Sequence, residues 1–524
     1  MSCACRSLFI IMRYLLNSGE MKQMDKNTME YFGIPSPVLM ERAALCVFYQ
    51  MQRLCNKKGR ILVICGAGNN GGDGLALARL LFLDGYPVSI YLPVRDKMTK
   101  ETKAQYETVK KYGISFTENL GEYDVIVDAL FGIGLSRPLE GIFKELIIWC
   151  NRQDALRIAV DMPSGISADT GALLGEAFQA DLTVTFGFAK VGQMLYPGAE
   201  YCGKVIIGDI GIDEKSILGE KPKVLSMEDK DIKPMFPARK KDSNKGSYGK
   251  VLVIAGSDKM AGAAYFSAKA AYLSGCGLVQ AFTPKANRDI LLTMLPEALV
   301  TDYDSDHLDI SLLREKMEWA DVILIGPGLG TGEGAKVLVE EVLKREDKPL
   351  VMDADALNIL SFEMELFRQS KAPIIVTPHL GEMSRLTGAK IPEIKERILH
   401  VAGEFAEKYG VLCVLKDSRT VIGTKKGLYL NISGCSGMAS GGSGDVLAGF
   451  IAGLLAQNMS IEDGAVLGTF IHGRAGEKAA LKKGEASMTA RDILEEIGNV
   501  IKENCMVKNV QTHNDRSEEN GRIR

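Results

Sequence analysis

Long apolar runs are missing from this chain. No stretch approaches the roughly eighteen apolar residues that a membrane-crossing helix needs, and the short run at 8–12 is cut off by Arg13. A membrane span and a signal-peptide core are both excluded on length. Paired cysteines are missing too. The eleven cysteines are scattered, odd in number and never spaced C-x-x-C, which supports neither a disulfide framework nor a zinc site. A reduced, cytoplasmic compartment is the expectation. Nor is there an excess of positive charge: 63 Lys and Arg against 66 Asp and Glu leave −3, with two tryptophans in 524 residues. Neither a basic footprint nor a stacking platform for nucleic acid is present.

Glycine is what the chain has in surplus. There are 55, about one residue in ten against a background of about 7%. Seventeen of them fall in the 38 residues of segments 66–74, 326–334 and 434–453. Such clustering marks them as binding loops rather than linker.

Short β-rich runs at 61–65, 89–92, 125–128, 158–161, 182–186 and 205–207 alternate with helical stretches such as 74–84 and 100–112. This rhythm predicts a parallel, doubly wound α/β domain over 12–215. Residues 216–247 are charged and proline-bearing, and read as a linker and entry to a second domain over 226–502. That domain has strands expected at 251–255, 278–282, 322–325, 350–352, 374–376 and 411–415, a hairpin at 420–424 and 427–431, and a helix at 445–455. Residues 503–524 are polar and predict a disordered tail.

The first cluster, GAGNNGGDG at 66–74, follows a strand and precedes a helix. It fits G-x-G-x-x-G, where glycines let the backbone approach a pyrophosphate at a helix N-terminus. A tight turn with no ligand is the alternative, but Asn69, Asn70 and Asp73 are costly there unless they bind something. Asp128 and Asp161 close two further strands, and ligands of open α/β sheets bind beyond such carboxyl ends. Each of them could instead cap a helix. The oxygen-rich residue set suits a hard cation.

Taken together, GAGNNGGDG, DALFGIGL and VDMPSG resemble the NAD(P)H-hydrate epimerase domain. The resemblance implies a Rossmann-like fold that holds the dinucleotide through Asn69, Asn70, Gly71, Gly72 and Asp73, and through Gly132, Ile133, Gly134, Leu135, Ser136, Arg137 and Pro138. It implies K+ on Asn70, Asp128 and Ser164, Asp161 facing the nicotinamide hydrate, and Lys190 as its acid–base partner. Ala189 stands where the family more often has proline. The family's usual opening is matched from Met12, so translation is expected to begin there.

In the second half, IGPGLGTGEG and SGCSGMASGGSGDVLAG carry the glycines. Gly441, Gly442, Ser443 and Gly444 lead into a helix whose N–H groups and dipole can cradle phosphate. Asp445 either complements that dipole or serves as general base on a hydroxyl being phosphorylated. His379 is a substrate contact or a structural cap, and Asp353, Asp355 and Asn358 hold Mg2+ or cap a helix.

With KGSYGKVLVIAGS, DADALN and TPHLGE, this half resembles the ADP- or ATP-dependent NAD(P)H-hydrate dehydratase, and so a ribokinase-like α/β domain. The resemblance implies that Ala263, Gly328 and His379 contact the hydrated dinucleotide. It implies that Lys416, Asp417, Ser418, Arg419, Thr420 and Gly444 hold the adenine nucleotide, with Asp445 on the hydrate. Departures from the family are Leu380, Asp417, Cys435, Ser440 and Ser443. Of these Asp417 adds a negative charge near the presumed phosphates.

The joint expectation is a bifunctional enzyme with NADHX or NADPHX and ADP as small-molecule substrates. It has no nucleic-acid or membrane partner and a homo-oligomeric state. A vitamin-precursor type of small-molecule kinase fused to a nucleotide-binding or scaffold domain is the alternative.

Overall fold

The computed structural model describes residues 12–344 and 347–505. The expectations for 1–11 and for the tail beyond 505 lie outside the described residues. Glu503 belongs to the helix Ala490–Cys505 rather than to a tail. The described residues divide into two compact units, Tyr14–Val224, and Met12–Arg13 together with those from Leu225 to Cys505.

In the first unit the runs ILVIC, VIVDA and LTVTF are buried along their whole length. Runs rich in β-branched residues and buried at every position are what parallel strands covered on both faces require. Seven strands run in the order Ser115–Phe116, Val88–Tyr91, Ile61–Cys65, Val125–Ala129, Leu156–Val160, Leu182–Phe186 and Lys204–Gly208, all parallel. Their order reverses between Ile61–Cys65 and Val125–Ala129, where Ile64 is in register with Asp128. This is the Rossmann-like order, and the reversal opens a crevice at the carboxyl ends.

Two expectations are corrected in this unit and its boundary. The helix expected from 74 begins at Asn69, so Asn69 to Gly72 form its first turn rather than a loop. Glycines hide a helix start from pattern reading, yet here they are needed. A Cβ on Gly71 would overlap the Gly66 carbonyl, and one on Gly66 would overlap that of Leu130. The stretch 216–247 is not a plain linker either. It contains the strand Val224–Ser226 and the helix Asp229–Met235, whose Ile232 and Met235 join the core of the second unit. A helix this short shows too few apolar positions for its period to be read.

Nine strands of the second unit's sheet run in the order Leu428–Asn431, Thr420–Gly423, Leu412–Leu415, Ile374–Val376, Leu350–Met352, Val322–Ile325, Lys250–Ile254, Leu278–Pro284 and Leu299–Tyr303. All are parallel except the hairpin 412–431. Leu299–Tyr303 is an unexpected edge strand whose half-exposed LVTDY lacks a clear pattern. The helix Ser443–Ala456 packs closely on Ala261–Leu273, because a Cβ on Gly449 or Gly453 would overlap Ser267 or Ser274. These two glycines serve packing, not a binding loop. Among the described residues no helix is long and apolar enough to cross a membrane.

Candidate functional site

In the first unit a cavity of about 550 Å³ opens at the carboxyl ends of the sheet. Its lining includes Gly68, Asn69, Asn70 and Asp73 after the first strand, Gly132 to Leu135 after Val125–Ala129, and Asp161 and Lys190. Asp161 follows its strand in a left-handed conformation, φ 64°, which a non-glycine residue adopts only when its surroundings enforce it. Here Gln193 Nε2 donates to the Asp161 carbonyl at 2.6 Å, and the Asp161 N–H donates to Val184 at 2.8 Å. Lys190 is fully buried. Its Nζ donates to Asp161 Oδ1 at 2.6 Å, Thr185 Oγ1 at 2.8 Å and the Phe186 carbonyl at 3.2 Å. All three ammonium protons are thus committed, while Asp161 Oδ2 faces Gly132, where a Cβ would lie 3.4 Å away.

Beneath this pair, Asp128 Oδ1 accepts from Ser164 Oγ at 2.7 Å and Leu130 N at 3.1 Å, and Oδ2 accepts from Ser164 N at 2.7 Å. Burial raises the Asp128 carboxyl to about 6, against the lowering effect of these bonds. Both polar atoms of the Asn70 side chain are buried without a partner. Burial, with Asp161 and Asp25 adding to it, holds Asp73 well above the usual carboxylate range.

Not every expected residue reaches the cavity. Gly71 and Gly72 are buried away from it, and Ser136, Arg137 and Pro138 are exposed beyond its lining. Conversely, the helices Ser18–Glu30 and Ser36–Leu54, absent from the sequence reading, supply Met21, Lys22, Asp25 and Met40. Two signals pointed there: the family-like opening from Met12, which runs through Asp25, and the placing of Asp25 four residues after Met21 and four before Met29 on one helix face.

In the second unit four neighbouring strands place Gly326, Asp353, His379 and Lys416 just past their carboxyl ends, the last three bringing polar side chains. Lys416 Nζ donates to Asp353 Oδ1 at 2.8 Å. A Cβ on Gly444 would lie 3.2 Å from that ammonium and 3.6 Å from Asp353 Oδ2, so the glycine-rich helix start meets the pair. Burial and Asp353 raise Asp445 to about 6, with Lys416 opposing. Burial would lower Lys416, but Asp353 and Glu382 more than offset it and keep it protonated. Burial lifts Glu382 to about 7.

His379 does cap a helix. Its Nδ1 accepts from Gly381 N at 2.9 Å and Glu382 N at 3.3 Å, and Glu382 Oε2 accepts from His379 N at 2.8 Å. Burial, then Lys416 and Arg385, lower its pKa. An Nδ1 that accepts carries no proton, so Nε2 is the donor. Ala263 and Gly328 are adjacent, a Cβ on Gly328 falling 2.7 Å from that of Ala263.

Of the segment after Leu415, Arg419 donates to the Ile432 carbonyl at 2.5 Å, Ser418 is exposed, and Asp417 lies 3.9 Å from Lys395. Asp355 Oδ2 accepts from Gly330 N at 2.8 Å and its Oδ1 from Asn358 at 3.2 Å, so this pair ties a loop to a helix. Sequence reading missed His472, buried on Ile461–Lys483 with Nε2 3.5 Å from Ser443 Oγ and pushed by burial to about 4. Nothing local in the chain marks it.

The family model described as NAD(P)H-hydrate dehydratase matches residues 251–499, and that of the YjeF-related protein N-terminus matches 36–192. The bifunctional NAD(P)H-hydrate repair enzyme of Thermofilum pendens is 37% identical over 90% of this chain and 93% of its own length. The chain belongs to this repair-enzyme family. The Moorella thermoacetica member is also 37% identical, over 93% of this chain and 97% of its own. A ribokinase-like superfamily protein from Enterococcus faecalis V583 is 29% identical, with a TM-score of 0.50, and covers 55% of this chain and 99% of its own. Family membership spans both units, which sets aside a kinase fused to an unrelated scaffold.

Proposed function

We propose that the first unit interconverts the R and S hydrates of NAD(P)H, and that the second dehydrates the S form with ADP, releasing AMP and phosphate. The observation that carries this reading is that each unit places a buried, lysine-linked acidic centre at the carboxyl ends of its own sheet.

In the second unit, Asp445 takes the proton of the C6 hydroxyl, whose oxygen attacks the terminal phosphoryl of ADP. AMP departs. Phosphate then leaves C6 as the ring-nitrogen lone pair moves in, and loss of a C5 proton restores the dihydronicotinamide. Lys416 and the amides at Gly441 to Gly444 would stabilise charge on the transferred phosphoryl group. Ala263, Gly328 and His379 would seat the dinucleotide, while Asp417, Ser418, Arg419 and Thr420 would flank the nucleotide. Asp353 Oδ2, which has no donor among the described residues, would offer one oxygen contact to Mg2+. Such an ion supplies charge neutralisation on the phosphates.

In the first unit, the linked Asp161 and Lys190 would move protons at C6, and Asn69, Asn70, Asp73 and Gly132 to Leu135 would hold the dinucleotide. The unpartnered Asn70 Oδ1, Asp128 and Ser164 form an all-oxygen set that fits K+. That ion would supply a fixed positive charge near the substrate. In-line phosphoryl transfer accepts one epimer, and epimerisation rescues the other. The scattered, unpaired cysteines support a cytoplasmic setting, and a homo-oligomeric state belongs to the same proposal.

With mixed hydrates and ADP, the wild-type chain is expected to restore reduced-cofactor absorbance fully and to release AMP and phosphate in equal amounts. A stable phosphorylated product overturns the reading.

A further inference from the structure

The helix Ser18–Glu30 forms a separate wall of the first unit's cavity, turning Met21, Lys22, Asp25 and Met29 toward it. Asp25 is the one acid on that wall. Its carboxyl makes no hydrogen bond or ion pair with any described residue, although it lies close enough to Lys190 and Asp161 to feel both. The capping of this helix is complete without it: Asn17 accepts from Glu20 N at 2.8 Å, and Glu20 returns the bond to Asn17 N at 2.8 Å. A half-buried acid with no partner among the described residues, lining a reaction cavity from a different element than the Asp161–Lys190 pair, is not needed to hold the fold.

Epimerisation needs proton transfer on both faces of the ring, and Asp161 and Lys190, joined by a hydrogen bond, act as one linked pair from one side. The hydroxyl must leave one face of the ring and water must arrive on the other, so a donor and an acceptor act from two directions. Asp161, pinned through Oδ1 to Lys190 and Thr185, can reach only one of them. We propose that Asp25 is a second catalytic residue of the epimerase centre, working across the ring from Asp161.

This assignment rests on the epimerase reading above. In one direction the Asp25 carboxylic acid protonates the C6 hydroxyl. The C6–O bond breaks with its electron pair on oxygen, water leaves, and the N1 lone pair forms C6=N1. A second water adds to the opposite face, its proton passes to Asp161, and the C=N pair returns to N1. Asp25 ends as carboxylate and Asp161 as acid, which is the state needed for the reverse epimer. Burial, tempered by Lys190 and reinforced by Asp161, brings Asp25 to about 6, so both of its forms are accessible near neutrality. The other charged groups on the cavity are Lys22, Asp73, Asp161 and Lys190. Of these Asp73 is raised above the usual carboxylate range, by burial first and then by Asp161 and Asp25.

The test follows a single purified epimer without ADP by chromatography, with the spontaneous rate subtracted, in wild type, Asp25→Asn and Asp25→Glu. Asp25→Asn should lower kcat by about 10²- to 10⁴-fold with KM and melting temperature near those of wild type. Asp25→Glu should restore part of the rate, with a shifted pH profile. In ¹⁸O-water, wild type should label C6–OH at the rate of epimerisation.

Wild-type turnover in Asp25→Asn, an equal loss in both variants, or a loss confined to KM overturns the assignment of Asp25 while leaving the epimerase reading intact. Epimerisation without label overturns the C–O step. A wild-type chain that does not interconvert the epimers overturns the reading, and the proposal with it.

Discussion

Asp445 is proposed to act as a base, and a base held at about 6 by burial and by Asp353 is ionised only above that pH. Dehydration of the S hydrate should therefore fall as pH drops below about 6. Asp445→Asn should reduce the single-turnover rate with ADP by about 10²- to 10⁴-fold, read as recovery of reduced-cofactor absorbance. His472 poses the opposite case. Its folded pKa, about 4, lies below the ordinary 6.5, so between these values the unfolded chain binds more protons than the native one. The stability His472 permits is complete above pH 6.5 and is lost as pH falls toward 4. Asp25, Asp128 and Asp445, each raised to about 6, act with the reverse sign but are common to wild type and variant. Urea midpoints at pH 7.5 and pH 5 should accordingly fall less for His472→Gln than for wild type. An equal fall would show that His472 is not the group that titrates.

At the scale of elements, the contacts that glycine permits separate function from packing. Gly71 sits against the Gly66 carbonyl, so Gly71→Ala forces the strand and helix of the first turn apart. A cost of about 1–3 kcal/mol is expected, seen as a lowered melting temperature, whereas Gly68→Ala meets nothing within 4 Å and should melt as wild type does. Gly449→Ala should cost a similar amount by pushing Ser443–Ala456 off Ala261–Leu273. Because these helices carry Asp445 and Ala263, ADP-dependent dehydration should fall along with stability. Glycine clustering was legible in the sequence, yet its division into anion cradle and helix contact was not. Both uses call for the same absent Cβ, and only the neighbour across the gap distinguishes them.

At the scale of the whole molecule, two units on one chain divide the work. On the proposed assignment, Asp161→Asn should leave fast repair of only the S portion of a mixed hydrate, with the remainder following at the spontaneous rate. Recovery of the full amount at the wild-type rate would refute the role given to Asp161. The strand-end positions of Asp128, Asp161, Asp353 and Lys416 were readable because a parallel α/β unit puts every strand's carboxyl end on one edge.

By itself the sequence determined the local choices: buried β-branched strands, glycine turns, polar strand ends, and so two α/β units with a ligand edge on each. Those choices depend on backbone sterics and periodicity over a few residues. Which distant side chains share a cavity was decided only by tertiary packing. Asp25 shares a cavity with Asp161 and Lys190 because Ser18–Glu30 lines the crevice, and His472 meets Ser443 because Ile461–Lys483 packs against the start of Ser443–Ala456. Electrostatics and desolvation act through space, so the partners that raise one carboxyl and pin another follow from the fold rather than from spacing along the chain.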